Sequence, residues 1–398
     1  MNKFLFYLSI DLAILSQFTT MTALGESSSV LTLMKVVWIL PLLYFFLTKP
    51  NSFLADKRIN FFYGVILIFL AYCLTCQTFT GNQYVAYGTD AINIIISTVI
   101  LSVSFLYWSS VKNKQRELQS FCVNLFVITL LFALDALINY RALDISVADR
   151  QYAFEFKNSM AFIMLIAVIG IFLNIKLRTP LSKLIVYAGL ILILVVVIIQ
   201  KSRATLVGLF VCIIYYIIKG QNKRLKWSLI VLSILSVVVI LVSSRAYDLV
   251  VNNIIFANRY EIGTEFNLDD VSSGRFGIIG YRMSFFKGNE IIGVGNMYMD
   301  CFPLAILLQY GIVGFVIMSA FLITIYRKII RKFNQSDPLQ LAGFLLFLIA
   351  MTNSLFEAYP PFGPGVKCML VWVFIGMAMA NHDDDRFNVK YNQKTIRR

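Results

Sequence analysis

Arg275 and Arg282 stand seven residues apart, in a stretch that opens Val271-Ser-Ser-Gly-Arg275. That opening reads as a helix start with Ser272 or Ser273 as cap. On a helix over about 274–287 the spacing puts both guanidiniums on one face. There they form a fork for a phosphate or diphosphate. The same spacing also describes an amphipathic helix at a membrane interface, with its arginines among the headgroups. Lys201-Ser-Arg203-Ala-Thr205 is wedged between two apolar runs with almost no loop. Such charges either snorkel to the surface or serve a function, the default for an ionisable residue so bracketed. Arg203, Arg275 and Arg282 together on one face would neutralise a diphosphate without a metal. Asp300 follows Gly293-Val-Gly295, whose glycines permit a tight re-entry turn, and stands at the start of an apolar run. It either matches the dipole of the helix it opens or serves as general base toward a hydroxyl. Glu357 closes Asn353-Ser-Leu-Phe-Glu357 at the end of another apolar run and is the second candidate base.

Other chemistries lack the residues to run them. The single histidine, His382, lies in the C-terminal tail. Ser-His or Cys-His nucleophiles at the arginine-bearing face and a histidine-rich metal site are therefore excluded. No Gly-rich phosphate loop ending in Lys-Ser/Thr is present, which argues against ATP-driven transport. Asp383-Asp-Asp385 sits in a short polar tail and reads as a solvated charge run. Cys73-Leu-Thr-Cys76 has redox spacing but no βαβ context, and reads as small residues at helix contacts. Cys301 and Cys368 fall near one surface, and nothing further supports a bond between them.

The elements that must position these residues are membrane helices. Of 398 residues 59% are apolar and 14% charged, against roughly 45–50% and 25% in soluble domains. There is too little polar surface to cover a soluble fold of this size. Twelve stretches suit spans: 4–24, 30–47, 59–76, 91–111, 118–138, 158–175, 183–200, 204–218, 227–243, 301–326, 339–356 and 368–381. They lack the alternation of barrel strands, so they are helices. The first is read as an uncleaved span, because it is long for a signal h-region and contains Asp11. With the N-terminus inside, 23 lysines and arginines fall in inner segments, 11 in outer ones, and Lys35 within a span. This bias places both termini in the cytoplasm. The net charge of +14 is thus mostly a topology signal. It suits anionic lipid headgroups, while nucleic-acid binding would need a basic soluble module that is absent. Asp11, Lys35 and Asp135 lie inside spans, paired with one another or lining a cavity.

Four segments follow: spans one to nine over 1–243, a large outer loop over 244–300, spans ten to twelve over 301–381, and a cytoplasmic tail over 382–398. The loop is longer than an ordinary connection. It carries seven aromatics between Phe256 and Phe286, five cations and seven acids. It is expected to fold over the outer mouth of the bundle as one or two short helices.

This combination resembles the bacterial O-antigen polymerases and ligases, multi-span envelope glycosyltransferases of GT-C-type architecture. The matching stretches are Lys157-Asn-Ser-Met-Ala161, Lys201-Ser-Arg203-Ala-Thr205, Ser273-Gly-Arg275 with Gly293-Val-Gly295 and Gln309-Tyr-Gly311-Ile-Val-Gly314, and Asn353-Ser-Leu-Phe-Glu357. They span 157–357, about half the chain, and the order of the short motifs relative to the spans carries the match. The resemblance implies an all-α polytopic bundle in the bacterial inner membrane that acts at the periplasmic face. Its substrate would be an oligosaccharide on undecaprenyl diphosphate. A polymerase moves the growing chain onto a new lipid-linked repeat unit, and the lipid diphosphate leaves, so neither metal nor cofactor is needed. Family arginines, which Arg203, Arg275 and Arg282 match, bind that diphosphate and stabilise the developing charge. Arg282 and Gly293 also have the Arg-x10-Gly spacing described for polymerases. Asp300, then Glu357, stand for the base.

Ligases carry a histidine near the end of the large loop. Here that region reads Gly295-Asn-Met-Tyr-Met-Asp300, which favours a polymerase. Two alternatives stand beside it: an O-antigen ligase, and a lipid-linked oligosaccharide flippase or other transporter. A flippase should show paired halves and short outer loops, and no internal repeat is visible. Chain-length control would call for a separate regulator protein.

Overall fold

In the computed structural model, the described residues are 3–18, 20, 37–48, 57–80, 87–139, 150–220, 223–247, 250–251, 275–295, 297, 299–363 and 365–396. They form helices α1 (Lys3–Leu15), α2 (Leu40–Thr48), α3 (Lys57–Thr80), α4 (Tyr87–Ser110), α5 (Lys114–Ile138), α6 (Arg150–Asn174) and α7 (Pro180–Ile199). There follow α8 (Arg203–Lys219), α9 (Lys223–Val242), a single turn α10 (Ser244–Tyr247), α11 (Arg275–Ser284), α12 (Phe302–Lys328), α13 (Pro338–Ser354) and α14 (Val366–Ile396). No strand occurs among the described residues. The chain is an all-α polytopic membrane protein, and helix occupies all or part of each expected span. Ile59–Cys76, Ile92–Ser110, Lys114–Ile138, Pro180–Ile199, Lys223–Val242 and Phe302–Lys332 are long and apolar enough to cross a bilayer. Asn158–Asn174, Pro338–Ser354 and Val366–His382 are shorter apolar stretches.

Local chemistry sets several helix starts. Asn113 caps α5 by accepting from Arg116 N (3.0 Å). Thr179 and Asp337 cap α7 and α13, each followed by a proline in the first turn. The proline has no amide hydrogen to leave unpaired there. The centre of the bundle is α14 packed along α4, with α6 and α13 beside α14. Small residues permit the close approach: a Cβ on Gly376 would meet Leu101 O at 2.6 Å, and Ser97, Ser102 and Ser104 of α4 are buried. Trp372 stacks on Phe362 (5.5 Å between centroids), which stacks on Phe321 (5.6 Å). Trp372 Nε1 donates to Pro361 O (2.8 Å), and Ser97 Oγ donates to Phe362 O (2.7 Å). The turn between α13 and α14 is thereby pinned to the core, and that turn carries Glu357.

Two of the charges inside the N-terminal spans, Asp11 and Asp135, have polar neutral partners among the described residues. Asp11 accepts from Asn124 Nδ2 (2.7 Å), and Asp135 takes Thr20 and Asn139 as partners. Lys35 lies outside the described residues. The six cysteines are free and buried, so Cys301 and Cys368 form no disulfide.

Candidate active site

A tight hairpin at Lys201-Ser202-Arg203 is formed by α7, which ends at Ile199, and α8, which starts at Arg203. Its tightness puts Lys201 in the left-handed region, at φ 52°, which costs a non-glycine residue roughly 1 kcal/mol. Ser202, the N-cap of α8, shares a hydrogen with Thr205 (Oγ to Oγ1, 2.9 Å), and both are buried. Arg203, half-buried, opens the helix. Helix α8 packs on α13: Gly208 faces Ile349, and Cys212 Sγ reaches Leu345 O (3.9 Å). One turn further along both helices, this register brings Ala204 beside Asn353. Two of the sequence motifs therefore meet.

A third joins them at Glu357. Asn158 Nδ2, near the start of the apolar stretch of α6, donates to Glu357 Oε1 (2.9 Å). Lys367 Nζ lies 3.6 Å from Glu357 Oε2, with the lysine side chain 3% exposed and the glutamate 13%. Lys367 also sits over the Phe162 ring, 5.6 Å from its centroid. Lys367 is in the first turn of α14, where the helix dipole opposes a positive charge. A buried cation so placed is expensive, and such residues in membrane spans mark functional sites. Sequence reasoning counted Lys367 only as one outer cation. Its signal was an isolated lysine opening an apolar helix, ten residues after an acid. Glu357 pairs with none of the predicted arginines. Beside this cluster, Gln200 and Asn353 are buried, with both amide heteroatoms unpartnered among the described residues.

The predicted arginine helix is observed as α11, three residues shorter at its end than expected. Its proposed caps, Ser272 and Ser273, lie outside the described residues. Ile279, Met283 and the following Phe286 pack against Met299, Ala305 and Leu308 at the start of α12. Arg275 and Arg282, both half-buried, fall on that same side at helical spacing. The opposite side shows Phe276, Ile278 and Tyr281 to the surroundings. Arg275 Nε lies 3.4 Å from Asp300 Oδ2, with about a third of each side chain exposed. The first candidate base and a predicted diphosphate ligand are thus partners. Phe302 then meets Phe362 (6.2 Å between centroids) in the turn that follows Glu357.

Gly293-Val-Gly295 makes the expected re-entry turn, with φ of +88° at Gly293 and +85° at Gly295. Its partner was not legible in the sequence. Helix α12 breaks at Gly311 (φ 67°, ψ −172°), and the turn docks into the break. Val294 N donates to Leu308 O (2.8 Å), Gly295 N to Gln309 O (3.1 Å) and Ile312 N to Glu290 O (2.8 Å). The Gln309 side chain donates to Met297 O (2.9 Å). Tyr72 Oη donates to Tyr310 O (2.6 Å), which ties the break to α3. Cβ atoms on Gly293 and Gly311 would meet backbone at 2.3 and 2.1 Å. The break thus holds residues 290–295 against the bundle, shortly before Asp300.

One end of a polytopic helical bundle therefore carries three half-buried arginines, a paired carboxylate on a re-entrant segment, and a buried Lys–Glu pair. Residues 188–302 match the family model described as O-antigen ligase. The match supports the O-antigen polymerase/ligase family, whose members are glycosyltransferase-like enzymes. It takes in Arg203, Arg275, Arg282 and Asp300, and stops before Lys367 and Glu357. A comparison with curated proteins gives no match.

Proposed function

We propose that the chain is a repeat-unit polymerase. On this reading it moves a growing glycan from undecaprenyl diphosphate to a new lipid-linked repeat unit, at the periplasmic face of the bacterial inner membrane. The bundle is GT-C-like, 244–300 is the periplasmic loop, both termini are cytoplasmic, and no metal or cofactor takes part. The observation that carries this reading is the Arg275–Asp300 pair inside the matched region. It puts a cation for the leaving diphosphate beside a carboxylate for the acceptor proton.

In the proposed step, donor diphosphate draws Arg275 away from Asp300, with Arg282 and Arg203 completing its charge neutralisation. Asp300 then serves as general base toward the acceptor hydroxyl. The acceptor hydroxyl oxygen attacks the anomeric carbon, its proton passes to Asp300, and the C–O bond to diphosphate breaks with its electrons. Gln200 and Asn353 supply amide donors and acceptors of the kind that read sugar hydroxyls. Glu357, fixed by Asn158 and Lys367, is the second candidate base. A separate protein would regulate chain length.

The ligase reading draws on the family description, but no histidine lies in 295–300. His382 stands fifteen residues along α14 from Lys367, about 22 Å of helix away. Purified full-length protein with a lipid-linked single repeat unit separates the readings. A polymerase lengthens that substrate with no other acceptor present. Arg275→Ala is expected to slow it by about 10²–10³-fold and Asp300→Asn by about 10²–10⁴-fold. No elongation until a different acceptor is added would mean a ligase, and no transfer at all would favour the flippase.

A further inference from the structure

Helix α12 and the turn after it are longer than a bilayer requires. The apolar stretch Phe302–Lys332 has 31 residues, about 46 Å as helix, against about 30 Å of hydrocarbon. One end of it carries Arg327, Lys328, Arg331 and Lys332, which belong among headgroups. About 20 residues of helix, counted back from these cations, reach the opposite hydrocarbon boundary between roughly 307 and 312. The break at Gly311 falls there. So does the docked turn, whose Lys287, Asn289 and Glu290 are exposed. Just past the break, Ile312, Val313 and Val316 are exposed, and an exposed apolar face on a span is one that meets lipid.

Helix α11 lies at the level of this boundary. Its packed side meets Ala305 and Leu308, within about 10 Å of it along α12. A headgroup layer is about 5–8 Å thick. The sides of α11 divide to suit that depth. Arg275, Ile279, Arg282 and Met283 are half-buried on the packed side. Gly277, Gly280 and Ser284, at i, i+3 and i+7, make a small exposed strip. Between the two, Ile278, Tyr281 and the following Phe285 repeat that spacing as an apolar flank, and all three are exposed. Phe276, in the first turn, lies on the other side of the small strip.

The flank has the composition of a membrane interface, aromatic and aliphatic together. Tyr281 and Phe285 meet edge to face, 5.2 Å between centroids. A glycan or a protein partner would call for several hydrogen-bonding groups, and the Tyr281 hydroxyl is the one polar group these three side chains offer. Ile291, also exposed, links this level to the lipid-facing residues of α12: its carbonyl accepts from Val313 N (3.4 Å). We propose that Ile278, Tyr281 and Phe285 insert into the leaflet at this end of the bundle, and that lipid is the occupant of the flank. Helix α11 is then an interfacial helix in the crook between bundle and bilayer. Arg282, four residues from Ile278 and three from Phe285, stands where the packed side meets the flank, at the depth of lipid phosphates. This contact with lipid holds whatever reaction the arginines serve.

Spin labels on the full-length chain, in vesicles of phosphatidylethanolamine and phosphatidylglycerol, test the depth. The native cysteines are buried, so Ile278→Cys, Tyr281→Cys and Ser284→Cys each carry the label at one new site. Collision with oxygen, which concentrates in hydrocarbon, is compared with collision with a water-soluble nickel chelate. The oxygen-to-nickel ratio is expected to be severalfold higher at 278 and 281 than at 284. Phe285→Cys and Ile291→Cys, at exposed positions, report the same surface should Tyr281→Cys fold poorly. Equal ratios on the flank and at 284 would overturn the proposal. So would flank labels that neither probe reaches, because protein would then cover the flank.

Discussion

At the scale of the residue, the two acid–base pairs differ in what they cost. Arg275 and Asp300 are about one-third exposed, so their attraction is screened and contributes little to stability. The pair can open for substrate. Lys367 is buried and Glu357 only 13% exposed, and removal of one partner leaves an unpaired charge inside the bundle, at about 3–5 kcal/mol. Lys367→Met and Glu357→Gln are each expected to lower stability by about that amount. The double variant Lys367→Met/Glu357→Leu should regain most of it, measured by thermal unfolding in detergent. If Glu357 serves the reaction, transfer stays low in the double variant; wild-type transfer there would make the pair purely structural. Arg275, Arg282, Asp300 and Glu357 stood out in the sequence because charge at the margin of apolar helix is costly. Their partners did not, since a pair such as Asn158 and Glu357 is joined across 199 residues.

At the scale of the element, the long apolar runs were legible because a membrane helix satisfies its own backbone. The break in α12 was not. Gly311 sits in an unbroken apolar stretch, and only the docked 290–297 segment explains its conformation. Gly311→Ala is expected to destabilise the protein by at least about 1–3 kcal/mol from its positive φ alone, with the backbone clash added. Gly64, whose Cβ would meet nothing within 4 Å, provides the control: Gly64→Ala should be neutral or slightly stabilising in its helix. Unfolding temperatures of the two variants decide this. A Gly311→Ala protein as stable as wild type would mean that the break is not needed to hold the re-entrant turn. Helix α11 was legible from its arginine spacing. Its packed side was not, because exposed and packed faces are both rich in apolar residues.

At the scale of the whole molecule, span positions and the charge bias of the loops were legible, while the order in which spans pack was not. Helices that are apolar all round carry no sign of which face meets which neighbour, and small residues such as Gly376 settle the contact. The proposed orientation puts α11 outside and the loop between α4 and α5 inside. The native cysteines are all buried, so new surface cysteines report cleanly. Ser284→Cys is expected to react with a membrane-impermeant maleimide in cells with a permeable outer barrier. Lys112→Cys should react only after the inner membrane is opened. The reverse pattern would turn the topology over and move the arginines to the cytoplasm.

The central claim, elongation of a lipid-linked glycan at the arginine-bearing end, is tested most directly by the glycan profile of cells that lack this chain. Complementation with wild type is expected to restore a ladder of long chains, and with Arg203→Ala or Arg275→Ala to leave core plus a single repeat unit. A ladder that persists without the chain, or that both variants restore in full, would contradict the account.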